Sequence, residues 1–72
     1  MKYLELAKKQ FFNLKDEILN EDPNSIGAES EEHYELDGRK LTIKVDGFWE
    51  KSTWFGYKVY DEFLEEIESG SY

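Results

Sequence analysis

Polar and apolar positions divide the chain into three zones. Leu4, Ala7, Phe11, Leu14 and Ile18 recur at spacings of three and four, widened by Tyr3, Phe12 and Leu19. That period predicts an amphipathic helix, and Pro23 predicts its end near Asn20. Residues 20–33 are polar with one clear apolar position, Ile26, and read as a long acidic connection. Strict alternation then takes over: Tyr34 and Leu36, then Leu41, Ile43 and Val45. Period two predicts half-buried strands.

Two Asp-Gly pairs, Asp37-Gly38 and Asp46-Gly47, are strong hairpin signals. A four-residue loop from Asp37 to Lys40 would set Leu36 opposite Leu41 and Tyr34 opposite Ile43. A two-residue loop at Asp46-Gly47 would set Val45 opposite Phe48. Thr42, Lys44, Trp49 and Lys51 then share the face away from the helix. The stretch Phe48 to Tyr60 reads either as one long strand or as a second hairpin about Glu50 to Thr53, which pairs Trp49 with Trp54. The hairpin is preferred because cross-strand aromatic pairs are favourable. Tyr60, Phe63, Leu64 and Ile67 again follow helical spacing, with Asp61 as N-cap and Ser69-Gly70 as the stop. The expected architecture is α+β, a small single domain: an N-terminal helix, a three- or four-stranded antiparallel meander and a short C-terminal helix.

Size sharpens this picture. Seventy-two residues make one domain, whose core supplies only a few kcal/mol net. Aromatic residues, 17% of the chain, are its main packing resource, each ring burying about 150–250 Å². Cysteine is absent, so neither disulfides nor thiolate metal sites enter, which suits a reducing, cytoplasmic setting. Charges interrupt the first apolar stretch, and no run approaches a membrane span.

Charge changes the functional picture most. The formal net charge is −8. Residues 1–20 carry four lysines against three acids, and residues 38–60 five bases against two acids. Residues 21–37 carry seven acids and residues 61–72 five, neither with a base. Direct nucleic-acid or anionic-membrane binding is disfavoured, and a basic or nucleic-acid-binding protein partner is favoured. The basic centre could also pair internally with the flanks.

His33, the one histidine, lies among Glu31, Glu32 and Glu35, too few converging ligands for a metal centre. No nucleophile-elbow, phosphate-loop or zincin motif is present. The expectation is a non-enzymatic protein with no metal and no cofactor. The candidate partner-binding residues are Glu29, Glu31, Glu32, Glu35 and Asp37 from the first acidic block, and Asp61, Glu62, Glu65, Glu66 and Glu68 from the expected second helix. Like charges at i+4 and acids at a helix C-terminus are destabilising, so stability alone would not choose that ridge. Trp49 and Trp54 join them as aromatic anchors, since Trp dominates interface hot spots.

In size, charge and aromatic content the chain resembles small phage-encoded anti-defence proteins, such as anti-CRISPR and anti-restriction proteins. The resemblance is one of class and rests on no shared motif. It implies a stoichiometric inhibitor whose carboxylates imitate a phosphate backbone in the basic groove of a nucleic-acid-handling protein. The alternatives are an immunity protein or antitoxin that neutralises a basic toxin, and an accessory or scaffolding homodimer that buries its spare aromatics.

Overall fold

A computed structural model describes residues 2–72. One helix, α1 (Leu4–Glu21), precedes four strands, β1 (Gly27–Leu36), β2 (Arg39–Phe48), β3 (Trp54–Tyr60) and β4 (Glu66–Ser71). The strands form one antiparallel meander in the order β1-β2-β3-β4. The α+β class and the N-terminal helix agree with the sequence reading.

The expected C-terminal helix is not there: residues 66–71 are the fourth strand. The cap chemistry expected of Asp61 does form. Its Oδ1 accepts the N–H groups of Phe63 and Glu65 at 2.9 and 3.0 Å. Leu64 then turns left-handed, with φ 64°, and the chain reverses instead of winding on. A helix of two turns with uncompensated acids at its C-terminus is marginal by itself. The free edge of β3 offers a better alternative, with backbone bonds between Phe55 and Tyr72 at 2.8 and 3.2 Å.

The other corrections concern β1 and β2. The acidic stretch expected as a loop is mostly strand: the connection spans only 22–26, and β1 starts at Gly27. Being an edge strand with a thinly covered inner face, β1 is held by its backbone ladder and needs little apolar period. The first hairpin has a two-residue loop, Asp37-Gly38, both with positive φ (52° and 76°), as a type I′ turn requires. The register therefore sets Tyr34 opposite Leu41 and Leu36 opposite Arg39, two residues from the expected pairing. A slip of two preserves faces, so Leu41, Ile43 and Val45 still point at the helix and are buried.

Asp46-Gly47 is no turn. β2 runs through it, and the chain reverses at 49–53, so that Phe48 pairs with Trp54. Gly47 is needed for close approach: a Cβ there would lie 2.8 Å from the Phe11 ring and 2.8 Å from Phe55 Cα.

The core joins Ala7 and Phe11 of α1 to Leu41, Ile43 and Val45 of β2 and Phe55, Tyr57 and Val59 of β3. Phe11 stacks on Phe55, centroids 4.9 Å apart. One buried polar side chain, Gln10, sits among them. It donates to the Ile43 carbonyl at 3.0 Å and to Ser30 Oγ at 3.1 Å, and accepts the Tyr34 hydroxyl at 2.8 Å. Every polar group of that cluster is thereby matched, as a buried amide requires.

Candidate functional site

The helix covers one side of the sheet and leaves the other bare. Pairing and alternation fix the residues of the bare face in cross-strand rows. Phe48 faces Trp54; Glu29, Asp46, Gly56 and Ser71 form the next row; Glu31, Lys44, Lys58 and Ser69 the next; His33, Thr42 and Tyr60 follow, with Glu66 beside Tyr60; Glu35 and Lys40 end the face. The centre of this face is an open trough of about 940 Å³, lined by Glu29, Glu31, Lys44, Asp46, Trp54 and Tyr60 among others.

Along β1 the outward carboxylates Glu29, Glu31 and Glu35 lie on one line, neighbours two residues apart being about 6.8 Å from each other. Opposite Glu29 stands Asp46, two like charges in direct cross-strand register, which is destabilising. Lys44 opposite Lys58 repeats that arrangement with positive charge. Glu31 meets Lys44 at 3.5 Å and His33 at 3.6 Å, and Glu66 meets Lys58 at 3.9 Å. Among the described residues no other ion pair forms, so the basic centre neutralises few of the flanking acids. Arg39 and Lys40 pair with none of them.

Antiparallel order places the Asp37-Gly38 turn and the 61–65 connection at the same end of the sheet. There Asp61, Glu62 and Leu64 share a shallow pocket with His33, Glu35 and Lys40. The two acidic blocks, remote in sequence, thus approach each other through Glu35, Asp61 and Glu62, with Asp37 and Glu65 in the turns of the same end. Five expected members separate from them. Glu29 and Glu31 lie further along the bare face of β1, Glu31 paired with Lys44. Glu66 is on the bare face of β4, paired with Lys58. Glu32 takes the helix-side face of β1, opposite Ile43. Glu68 points inward and is structural. Its carboxylate accepts the N–H groups of Lys2 and Tyr3 at 2.7 and 2.9 Å and the Tyr57 hydroxyl at 2.6 Å. Burial works against its charge, but these three hydrogen bonds outweigh it and hold its pKa below the ordinary 4.5. Burial, then the Glu68 bond and charge, push the Tyr57 phenol up to about 12.

The two tryptophans also part. Trp49, expected on the bare face, turns to the helix side. Its ring lies 5.9 Å from Phe11, and Nε1 donates to the Ser25 carbonyl at 2.8 Å. It clamps the 22–26 connection, half-buried against the helix side. Trp54 is on the bare face, 39% exposed, stacked on Phe48, which is 47% exposed, with centroids 5.6 Å apart. Phe48 is a candidate the sequence reading missed, because an Asp46-Gly47 turn would have placed it on the opposite face.

His33 lies on the bare face, its Nδ1 3.0 Å from Thr42 Oγ1. Among the described residues no group of three or more His, Cys, Asp or Glu is disposed to hold a metal ion. No helix of the described residues is long and apolar enough to cross a membrane. Comparison with protein-family models, curated proteins and solved structures finds no match to this chain.

Proposed function

We propose that the protein is a non-catalytic, stoichiometric inhibitor that binds a basic, nucleic-acid-handling protein, in the manner of phage anti-defence proteins. The binding surface is the bare face of the sheet together with its 61–65 end. One observation carries this reading: Glu35, Asp61 and Glu62, from both acidic blocks, meet at one end of that face, where Lys40 lines the same pocket but makes no ion pair with them. The ridge expected on a second helix is replaced by a row on β1 that continues across the turns. Opposed like charges, Glu29 with Asp46, cost stability, which suits a surface shaped by its partner. Phe48 and Trp54 supply apolar contact area at the other end of the face.

The test is kinetic. With the partner captured from cells in which the chain is native, association is expected to slow steeply between 50 and 500 mM salt (a screening length of about 4 Å at the upper limit), and duplex DNA to compete. Glu29→Gln, Glu35→Gln and Glu62→Gln together are expected to slow association by about tenfold or more while dissociation changes little. Association indifferent to salt and to these substitutions would sink the electrostatic reading.

A further inference from the structure

Phe63 and Leu64 are each 77% exposed, side by side at the tip of the 61–65 connection. Exposure alone needs no explanation; the way this pair is held does. Asp61 Oδ1 binds the N–H groups of Phe63 and Glu65, Asp61 N–H bonds to Glu65 O at 2.9 Å, and Leu64 N–H to Asp61 O at 3.0 Å. This closed network forces Leu64 into the left-handed region, φ 64°. Glycine or asparagine enters that region at least cost, and a bulky apolar residue is disfavoured there. A large side chain is thus kept where it strains the backbone and covers none of the protein's own core. Strain retained at a rigid, exposed site points to use by a ligand.

We infer that Phe63 and Leu64 form a preorganised apolar plug that enters an apolar pocket on the partner protein, with Lys or Arg side chains around that pocket. Charge identifies the occupant. Glu62 and Glu65 flank the plug within the same connection, and Glu35 and Asp61 line the shallow pocket beside Leu64 with Lys40 and His33, so carboxylates outnumber the lysine there. A cationic rim complements these carboxylates, whereas an anionic lipid surface would repel them. Rigidity makes the insertion cheap, since no loop needs ordering on binding. This inference rests on the basic-partner reading and gives it a point of attachment.

Leu64→Gly and Leu64→Asn separate strain from binding. The probe is the protein that the wild-type chain retains from its native cell extract at 150 mM salt. Both variants are expected to weaken retention by about thirtyfold at low and high salt alike. Leu64→Gly is expected at the same time to raise the melting temperature of the free chain by about 4–8 °C. Phe63→Ser, with no backbone strain to relieve, is expected to weaken retention and leave melting unchanged. Unchanged retention by Leu64→Asn, or a lower melting temperature for Leu64→Gly, would overturn the plug. Salt-dependent retention that survives Leu64→Asn would remove the plug and keep the electrostatic surface; retention of no protein would remove both. Binding of the wild type to phosphatidylserine vesicles, or a Leu64-dependent dimer in sedimentation, would contradict the assigned occupant.

Discussion

Phe11→Ala is expected to lower the unfolding free energy by about 3–5 kcal/mol, the largest effect of any single truncation here. The ring is fully buried. It stacks on Phe55, meets Phe12 edge-on at 5.8 Å, and touches Trp49. Losing it opens a cavity between helix and sheet that these neighbours cannot all close. A chain of this length holds about 4–11 kcal/mol in all, so the loss removes about a third of that stability or more, and at the low end of the range takes the variant to the midpoint of unfolding in water. Gly47→Ala attacks the same contact from the sheet side. Its methyl meets Phe11 and also backbone, Phe55 Cα and the Trp54 carbonyl, at a cost of about 1–3 kcal/mol. The double variant is informative. Phe11→Ala clears the ring but not the backbone, so it is expected to rescue Gly47→Ala only in part. Urea unfolding followed by circular dichroism measures all three, and full rescue would show that Gly47 serves the ring alone.

The second large effect is expected at Glu68, which ties the entry of α1 to β4 and to the buried Tyr57 hydroxyl. Glu68→Ala leaves the Tyr57 hydroxyl and the Tyr3 N–H without their acceptor, the exposed Lys2 N–H passing to water, and is expected to cost about 3 kcal/mol, since bonds to a charged group contribute about 1.5–3 kcal/mol each. The pH dependence follows from the directions of the shifts. Glu68 is held below its ordinary 4.5, so its stabilisation is complete above that value and is lost as pH falls through the lower folded pKa. Tyr57 is held up at about 12 against an ordinary 10. Its stabilisation is complete below pH 10 and is lost as pH rises toward 12. Glu68→Gln is expected to flatten the acid limb, and Tyr57→Phe to flatten the alkaline one. Thermal melts from pH 3 to 11 would show both, and an acid limb unchanged in Glu68→Gln would place the titrating group elsewhere.

The parts of this fold that the sequence discloses are those where one period dominates. Ala7 and Phe11 share a helical face, and Leu41, Ile43 and Val45 alternate, so both sides of the core are readable from spacing. Where a residue type serves two purposes, spacing misleads. Asp46-Gly47 has turn chemistry, yet its glycine admits the close approach of the Trp54 carbonyl, Phe55 Cα and the Phe11 ring, long-range contacts that no local pattern carries. Tyr60, Phe63, Leu64 and Ile67 satisfy a helical period, yet eight residues of weak helix lose to the open edge of β3. β1 hides for the opposite reason: its order comes from the ladder to β2, while its side chains remain largely exposed. The candidate site inherits these errors. Carboxylates expected on one helix are divided among the bare sheet face (Glu66), the 61–65 connection (Asp61, Glu62, Glu65) and an inward structural position (Glu68). Trp49 is drawn against the core, half-buried, and Phe48 takes its place beside Trp54.

The assignment of one side of the sheet to packing and the other to recognition can be tested by amide chemical-shift mapping of the 15N-labelled chain with its captured partner. Perturbations are expected at Glu29, Glu31, Glu35, Asp46, Trp54 and residues 61–65, with the solvent-exposed positions of α1 silent. Perturbations concentrated on α1, with the bare face unchanged, would contradict the account.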